Sequence, residues 1–366
     1  MSVNTNCQFP IINYDSKSSQ FEWGCHHGEE FQGAIKELAQ IRKSLMLSKN
    51  PKLLSKLDEL AQEQFQITLK YCPHIAEEIK GISTGSKITL TDIVILNNYT
   101  DFRDLNFTDE CCSTIHVQYN NNVFSGQTWD MHRSAKNYMC VLNVPEKGSF
   151  PSKIVLSLVG CVGLMGINAH NCMIGVNNIN TTNAKTGLIW PALVRKALES
   201  NTLEQMHNIL VSAPVTSGHN YLISSPLGSK QIEVTPTVSE IVSQINVNQN
   251  GAIYHTNHCL GDEIKKWEDK SSISSTTFNR FELLNKKAKN IQDFSEFIDL
   301  LNSHDEFPKS ICSHFENGAQ DPSFTCGGGA SDFSAGIHLF WRGCKAYDSD
   351  FKQYKFQLHD NQFKLI

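Results

Sequence analysis

The sequence lacks the features that direct a chain to a membrane or to a nucleic acid. Residues 1–17 contain no apolar core of the kind found in signal peptides. No apolar run reaches the ~18 residues that a membrane-spanning helix needs. The formal net charge is −5, so no basic surface is indicated. We therefore expect a cytoplasmic protein with no membrane partner and no nucleic-acid partner.

The sequence also lacks paired metal ligands and a nucleotide-binding loop. It has 12 cysteines, but none of them forms a C-x-x-C pair, and His255 and His258 have no second pair of ligands beside them. The glycines at 327–329 lack the strand–GxGxxG–helix context of a dinucleotide site and instead indicate a loop or bulge. We expect reduced thiols, no metal and no cofactor.

The order of predicted elements indicates an α+β fold. Residues 31–81 show apolar positions at helical spacing, so the first third of the chain is predicted to be mainly helical. After Cys112 the chain changes to strands, with a pair of helices predicted within 187–213 and another within 274–304. The simplest packing of this order is two stacked antiparallel sheets with helices outside both.

A hairpin is predicted between Asp109 and Tyr138. Two alternating runs are separated by three consecutive asparagines at 120–122, which is typical of a β-turn between paired strands. Such a hairpin places Cys112 at the start of one strand and Asp130 at the end of the other. A thiol and a carboxylate would then lie close enough to share one site.

This geometry suits a nucleophile that becomes a chain terminus. A thiol needs a base to take its proton, and an α-amine with a pKa of roughly 7.7–8.0 is a suitable one near pH 7. A cut before Cys112 would place that amine beside its own sulfur, and Asp130 could orient it. The alternative interpretation is a buried Cys111–Cys112 pair in a strand, with Asp130 as a turn residue.

With these residues in view, the chain resembles the penicillin acyltransferase family of N-terminal nucleophile (Ntn) hydrolases, over nearly its whole length. The family's G-C-T-T and W-D motifs are similar to Cys112-Ser113-Thr114 and Trp129-Asp130, and their spacing favours Cys112 over Cys111 as the nucleophile. The other matching segments are Gly24 with Gly28, Gly166-Ile167-Asn168 with Asn177 and Asn178, His255-Thr256-Asn257-His258, and Ser275 through Arg280.

The resemblance implies a four-layer αββα sandwich and a precursor that cuts its own Cys111–Cys112 bond. Residues 1–111, with their helical segment, would become a small subunit, and residues 112–366 the catalytic part, both packing as one domain. Cys112 would be the nucleophile, Asp130 would orient its amine, and Asn257 would donate to the oxyanion. Further support or substrate-binding candidates are Ser113, Thr114, Trp129, Asn177, Asn178 and Arg280. His255 and His258 are expected to be structural.

Two positions depart from the family pattern. Cys111 stands where the family usually has Gly, whose backbone freedom favours the strained turn of an N-to-S acyl shift. Ser313 follows Ile311-Cys312 where the family often has Arg, a residue that would grip a substrate carboxylate. The first departure weakens the expectation of self-cleavage, and the second argues against an anionic substrate group at that place.

The resemblance implies an amidohydrolase or acyltransferase that acts on a small N-acyl amine or acyl thioester, with its two fragments held as a heterodimer. Three alternatives stay open. One is an acid-ceramidase-like hydrolase of fatty-acyl amides, and another is a non-catalytic relative that keeps the fold and binds a ligand. The third is a conventional Cys-His protease, in which His116 or His132 would lie beside Cys112.

Overall fold

Two β-sheets stack face to face at the centre of the molecule. The structure is a computed structural model, and it describes residues 7–104, 112–314 and 323–366. The first sheet contains, in spatial order, β1 (Ile11–Asn13), β4 (Met139–Val144), β5 (Lys153–Leu158), β6 (Met165–Asn168), β7 (Met173–Asn178), β8 (His219–Ser225), β9 (Gly228–Val234) and β10 (Ser239–Asn246). The second contains β11 (Gly251–His255), β2 (Ser113–Tyr119), β3 (Asn122–His132), β12 (Ser323–Asp332), β13 (Ile337–Arg342), β14 (Lys352–His359) and β15 (Gln362–Leu365).

Helices cover the outer faces of both sheets. The α-helices are α1 (Gln20–Glu30), α2 (Gln32–Lys49), α3 (Leu57–Tyr71), α4 (Pro73–Ser86), α5 (Leu90–Asp104), α6 (Trp190–Ala197), α7 (Leu203–Val211), α8 (Thr276–Lys287) and α9 (Phe294–Leu301). The helices α8 and α9 pack on β11, β2 and β3, whereas α7 packs on β8 and β9. The predicted α+β class, with stacked sheets, outer helices and a helical N-terminal segment, is confirmed.

One strand pair departs from the predicted antiparallel arrangement. The strands β1 and β4 run parallel, with Ile11 opposite Val141, while the other named pairs are antiparallel. Parallel neighbours need a long crossover connection, and the helices α1 to α5 lie between these two strands in the sequence.

The helices α1 and α4 pack unusually closely because each carries two glycines four residues apart. A Cβ atom added at Gly24 would lie 2.0 Å from the carbonyl oxygen of Glu78, and one added at Gly85 would lie 2.1 Å from that of Cys25. A Cβ atom at Gly81 or Gly28 would lie 2.1 Å or 2.6 Å from the nearest backbone atom of the opposite helix. The backbones of α1 and α4 therefore meet at Gly24 and Gly28, where any side chain would collide with the opposite helix.

The predicted hairpin is present as β2 and β3. Ser113 lies opposite Thr128, and the turn falls at Asn120 and Asn121, where Asn120 has a φ of 54° that asparagine tolerates better than most residues. The second strand continues beyond the predicted end at Asp130, as far as His132. The register therefore brings the start of β2 beside the end of β3.

Residues 229–243 form β9 and most of β10, which are joined by a turn at 235–238 in which Thr235 Oγ1 accepts from the N–H of Val238. The glycines at 327–329 were predicted to mark a loop or a bulge; they lie inside β12, and the register shift directly before them, between Thr325 and Gly327, agrees with the bulge. Among the described helices, none is long and apolar enough to cross a membrane.

Candidate active site

Cys112 lies buried directly before β2, at the point where the two ends of the hairpin meet. Its backbone nitrogen donates to Asn257 Oδ1 at 2.8 Å, and its sulfur lies 3.8 Å from the carbonyl oxygen of Asp130. The thiol thus contacts the backbone of Asp130. Cys111, the other side of the predicted cleavage site, lies outside the described residues.

Asn257 is held beside Cys112 by the strand that precedes it. Because β11 pairs with β2 and places His255 opposite Thr114, the chain after β11 leads back to the start of β2. The backbone nitrogen of Asn257 donates to Thr277 Oγ1 at 2.8 Å, and its side-chain nitrogen donates to the carbonyl oxygen of Asn178 at 2.8 Å. In this arrangement the side-chain oxygen of Asn257 faces the nitrogen of Cys112.

Arg280 connects the groups around Cys112 from the first turns of α8. Its Nη1 donates to the carbonyl oxygen of Cys112 at 2.7 Å and to Ser113 Oγ at 3.0 Å. Its Nη2 donates to Asn257 Oδ1 at 2.8 Å. The guanidinium is fully buried. Its positive charge is linked to the nitrogen of Cys112 through Asn257 Oδ1, which accepts hydrogen bonds from both groups.

Asp130 is a buried carboxyl group with only part of its bonding capacity used. Its Oδ1 accepts from Thr325 Oγ1 at 2.7 Å, while Oδ2 has no hydrogen-bond partner among the described residues. Burial raises the pKa of Asp130 to about 7, against the opposing effects of Arg280 and Thr325. Thr325 lies opposite Asp130 in the β3–β12 register, and nothing in the sequence pointed to it.

Ser113 and Thr114 face opposite sides of β2. Ser113 contacts Arg280 on the α8 side, and its N–H donates to Thr128 Oγ1 at 3.2 Å. Thr114 Oγ1 donates across the gap between the sheets to Asn177 Oδ1 at 2.7 Å. That oxygen also accepts from Asn220 at 2.9 Å, so Thr114 and Asn177 belong to a polar network that joins the sheets.

The remaining candidates lie farther from the nitrogen of Cys112. Asn178 contacts Asn257 through its backbone oxygen, and its side chain donates to Asn180 at 2.8 Å. Trp129 is buried in the main hydrophobic core, on the opposite side of β3 from Asp130. The structure therefore brings Cys112, Ser113, Asn257 and Arg280 into direct contact, with Asp130 adjacent.

The histidines of the sequence motifs have partners of their own. His255 Nε2 lies 2.7 Å from Glu233 Oε1 in a fully buried pair. His116 Nδ1 lies 2.7 Å from Ser125 Oγ, and His132 Nδ1 lies 2.7 Å from Ser134 Oγ. These contacts give each ring a local structural role.

Comparison with known proteins places the chain in a family. The model of the family described as acyl-coenzyme A:6-aminopenicillanic acid acyl-transferase matches residues 117–322. The chain is 25% identical over 315 residues to the acyl-coenzyme A:6-aminopenicillanic-acid-acyltransferase 40 kDa form of Emericella nidulans, an alignment that covers 84% of this chain and 86% of that protein.

Solved structures give more distant similarities. One is a Caenorhabditis elegans ortholog of N-acylethanolamine-hydrolyzing acid amidase, with a TM-score of 0.42, 10% identity and coverage of 61% of this chain and 93% of that one. Another is a mutant conjugated bile acid hydrolase from Clostridium perfringens, with a TM-score of 0.42, 11% identity and coverage of 70% and 96%.

The family match is the decisive comparison because it extends over more than half of the chain. It agrees with the resemblance that the motifs around Cys112, Asp130 and Asn257 carry. The protein belongs to the acyl-coenzyme A:6-aminopenicillanic acid acyl-transferase family, and it is an enzyme of acyl transfer or amide hydrolysis.

Proposed function

We propose that the chain is a self-cleaving amidohydrolase or acyltransferase in which Cys112, as a new N-terminal residue, is the nucleophile. The observation that carries this proposal is the contact between the backbone nitrogen of Cys112 and Asn257 Oδ1 at 2.8 Å. A buried side-chain acceptor on that nitrogen would hold it equally well as an amide or as a free amine. The same residue presents its sulfur beside Asp130.

Activation begins with an attack of the Cys112 thiol on the carbonyl carbon of Cys111. The C–N bond between the two residues breaks as the C–S bond of a thioester forms, and the nitrogen of Cys112 takes up the thiol proton. Water then hydrolyses the thioester, which frees the sulfur and leaves Cys111 with a carboxylate. The products are a fragment of residues 1–111 and a fragment of residues 112–366, which stay associated as a heterodimer.

The freed α-amine of Cys112 is the proposed general base. A base must be neutral, and the buried guanidinium of Arg280 favours the neutral amine over the ammonium form because like charges repel. Asn257 Oδ1 fixes the position of the amine. Asp130 stabilises the protonated form of the amine. Its Oδ2, which has no partner among the described residues, can accept a hydrogen bond from the ammonium that forms when the amine takes the thiol proton.

Acyl transfer then follows on the same atoms. The Cys112 thiolate attacks an acyl carbonyl, the amine or thiol leaving group takes the proton from the ammonium of Cys112, and water or an amine resolves the thioester. The amide of Asn257 carries two N–H groups, of which one is used on Asn178. We assign the other to the developing oxyanion.

The proposed substrate is a small N-acyl amine or acyl thioester. The relative from Emericella nidulans is named for acyl-coenzyme A and 6-aminopenicillanic acid, which fits an acyl group carried on sulfur or nitrogen. Position 313 is a serine, whose N–H donates to Thr325 Oγ1 at 2.7 Å, and Thr325 in turn contacts Asp130. Residue 313 therefore offers no positive charge to a substrate group beside Asp130. We therefore favour an uncharged group at that position, in a cytoplasmic enzyme.

Mass spectrometry of the acyl-enzyme tests this function. The reduced protein is mixed with a panel of short acyl thioesters and N-acyl amines, quenched in acid and weighed intact. We expect an added acyl mass on residues 112–366, absent from Cys112→Ala and retained in Cys326→Ala, which removes another buried thiol. An adduct that survives in Cys112→Ala, or a folded and cleaved protein that reacts with no acyl donor, would contradict the proposal and favour a ligand-binding relative.

A further inference from the structure

Two histidines and two cysteines meet in a cluster that the proposed reaction does not use. The cluster consists of His304, Cys312, His314 and Cys344, and one ligand atom from each lies within 4.8 Å of the others. The sequence has no paired ligands, and we therefore predicted no metal site from it. The members of this cluster come from two segments some 30 residues apart, and only C-x-H at 312–314 is compact.

The separations within the cluster match those of ligands that share one metal ion. Cys312 Sγ lies 3.4 Å from His314 Nε2, and Cys344 Sγ lies 3.4 Å from His304 Nε2. With Zn–S bonds of ~2.3 Å and Zn–N bonds of ~2.0 Å in a tetrahedron, sulfur and nitrogen ligands stand about 3.5 Å apart. The cluster therefore has room for an ion with only small shifts of its side chains.

The surroundings hold these side chains in place. Cys312 and Cys344 are both 1% exposed. The ring of Tyr347 packs on both histidines, at 4.9 Å from His304 and 4.6 Å from His314 between ring centroids. The N–H of Cys312 donates to the carbonyl oxygen of Ser303 at 3.0 Å, so the backbone around the cluster is also fixed.

We propose that His304, Cys312, His314 and Cys344 bind one zinc-type divalent ion. Two thiolates and two neutral imidazoles are a ligand set that Zn²⁺ prefers, and the two thiolate charges balance those of the ion. Binding releases the two thiol protons to water. Because the protein fills all four positions, the site is structural and does not activate a substrate or a water molecule.

The ion would fix the loop after α9 to the turn after β13, close to the catalytic centre. Ser313 lies between two of the ligands, and its carbonyl oxygen accepts from the N–H of Thr325 at 2.8 Å. Thr325 in turn donates to Asp130. The metal would thus stabilise the segment that supports Asp130, and its loss is expected to lower the melting temperature.

The test is the metal content of the full chain, produced without an affinity tag, in zinc-supplemented medium and without chelators. We expect one zinc per chain by elemental mass spectrometry. Replacement by Co²⁺ should give the thiolate-to-cobalt charge-transfer band and the visible bands of a tetrahedral site. Cys312→Ser and Cys344→Ser should lose both signals, whereas Cys25→Ser and His170→Ala, which alter residues away from the cluster, should keep them.

Measurements on the wild-type protein alone can contradict the proposal, even if the variants fail to fold. Reduced wild-type protein that carries no zinc, and that shows no thiolate-to-cobalt band after dialysis against Co²⁺, would mean that S–H···N hydrogen bonds alone hold the cluster. A Cys312–Cys344 disulfide in freshly purified protein, alkylated under denaturing conditions, would equally exclude the site. None of these readouts depends on self-cleavage or acyl transfer.

Discussion

Arg280 Nη2 donates to Asn257 Oδ1 at 2.8 Å, and this is the same oxygen that accepts from the backbone nitrogen of Cys112. One buried cation and one amide therefore fix the position and the charge environment of the proposed base. The contact was not visible in the sequence, where the two residues are separated by a loop with two short 3₁₀ helices and by the start of α8.

The variant Asn257→Asp separates the two roles proposed for this side chain. Aspartate keeps an oxygen for the nitrogen of Cys112 but cannot donate to an oxyanion. We expect acyl transfer to slow by roughly 10²–10³, the usual cost of one oxyanion donor, and the melting temperature to fall, because the buried hydrogen bond to the carbonyl oxygen of Asn178 is lost as well. Single-turnover acylation rates measure this. The control Asn183→Asp, whose side-chain amide donates to the hydroxyls of Thr235 and Thr237, should retain the wild-type rate.

The variant Arg280→Lys should lower the free energy of unfolding. Lysine cannot span the four acceptors that the guanidinium reaches, and each lost hydrogen bond to a charged group costs about 1.5–3 kcal/mol. Urea denaturation should therefore show a loss of at least about 2 kcal/mol. Arg133→Lys, at an exposed arginine, is the matched control and should stay near the wild-type value. Equal stability of both variants would show that the buried contacts are dispensable.

The packing of α1 on α4 predicts opposite effects for two glycine substitutions. Gly24→Ala places a methyl group 2.0 Å from the carbonyl oxygen of Glu78, so the helices must separate, and we expect loss of several degrees in melting temperature or no folded protein. Gly33→Ala, in α2, meets no atom within 4 Å and should be neutral or stabilising by about 0.5–1 kcal/mol. A tolerated Gly24→Ala would disprove the close contact.

Buried His27 predicts a pH dependence of stability. Its Nε2 accepts from the N–H of Gly160 at 2.9 Å, and burial lowers its pKa to about 3. Between the unfolded pKa of ~6.5 and the folded pKa of about 3, only the unfolded chain binds a proton at His27. The free energy of unfolding is therefore highest above pH ~6.5 and decreases as the pH falls through this range.

The size of this effect can be isolated with His27→Gln, which keeps an acceptor for Gly160. Between pH 6.5 and pH 4 the wild type should lose up to about 1.4 kcal/mol per pH unit more than the variant. Burial also lowers the pKa of His116, His219, His258 and His338, so both proteins should lose stability and only the difference is diagnostic. Identical slopes would mean that His27 is protonated in the folded state.

Local patterns in the sequence were sufficient for much of the fold. Alternation and an asparagine turn predicted the β2–β3 hairpin, and helical spacing predicted the N-terminal helices. What could not be predicted depends on distant contacts. Thr325 reaches Asp130 only through the register of β3 with β12, and the turn that divides β9 from β10 forms with ordinary threonines.

The metal-ligand cluster shows the same limit more clearly. Spacing rules detect ligands that lie close together in the sequence, but Cys344 is separated from His304 by β12 and β13 and meets it only in the folded chain. The contact between Cys112 and Asp130 was predicted only in part. The hairpin brings the two residues together as predicted, but the thiol of Cys112 contacts the backbone oxygen of Asp130, and the carboxylate of Asp130 accepts a hydrogen bond from Thr325.

The most direct test of the central claim is the intact mass of the reduced, folded protein. We predict two species, residues 1–111 and residues 112–366, in the wild type, and one uncut chain in Cys112→Ala. Because Cys111 replaces the glycine that would ease the acyl shift, Cys111→Gly should cleave at least as fast. If wild type and Cys111→Gly are both folded, reduced and still whole, Cys112 does not become a chain terminus and the proposed mechanism is wrong.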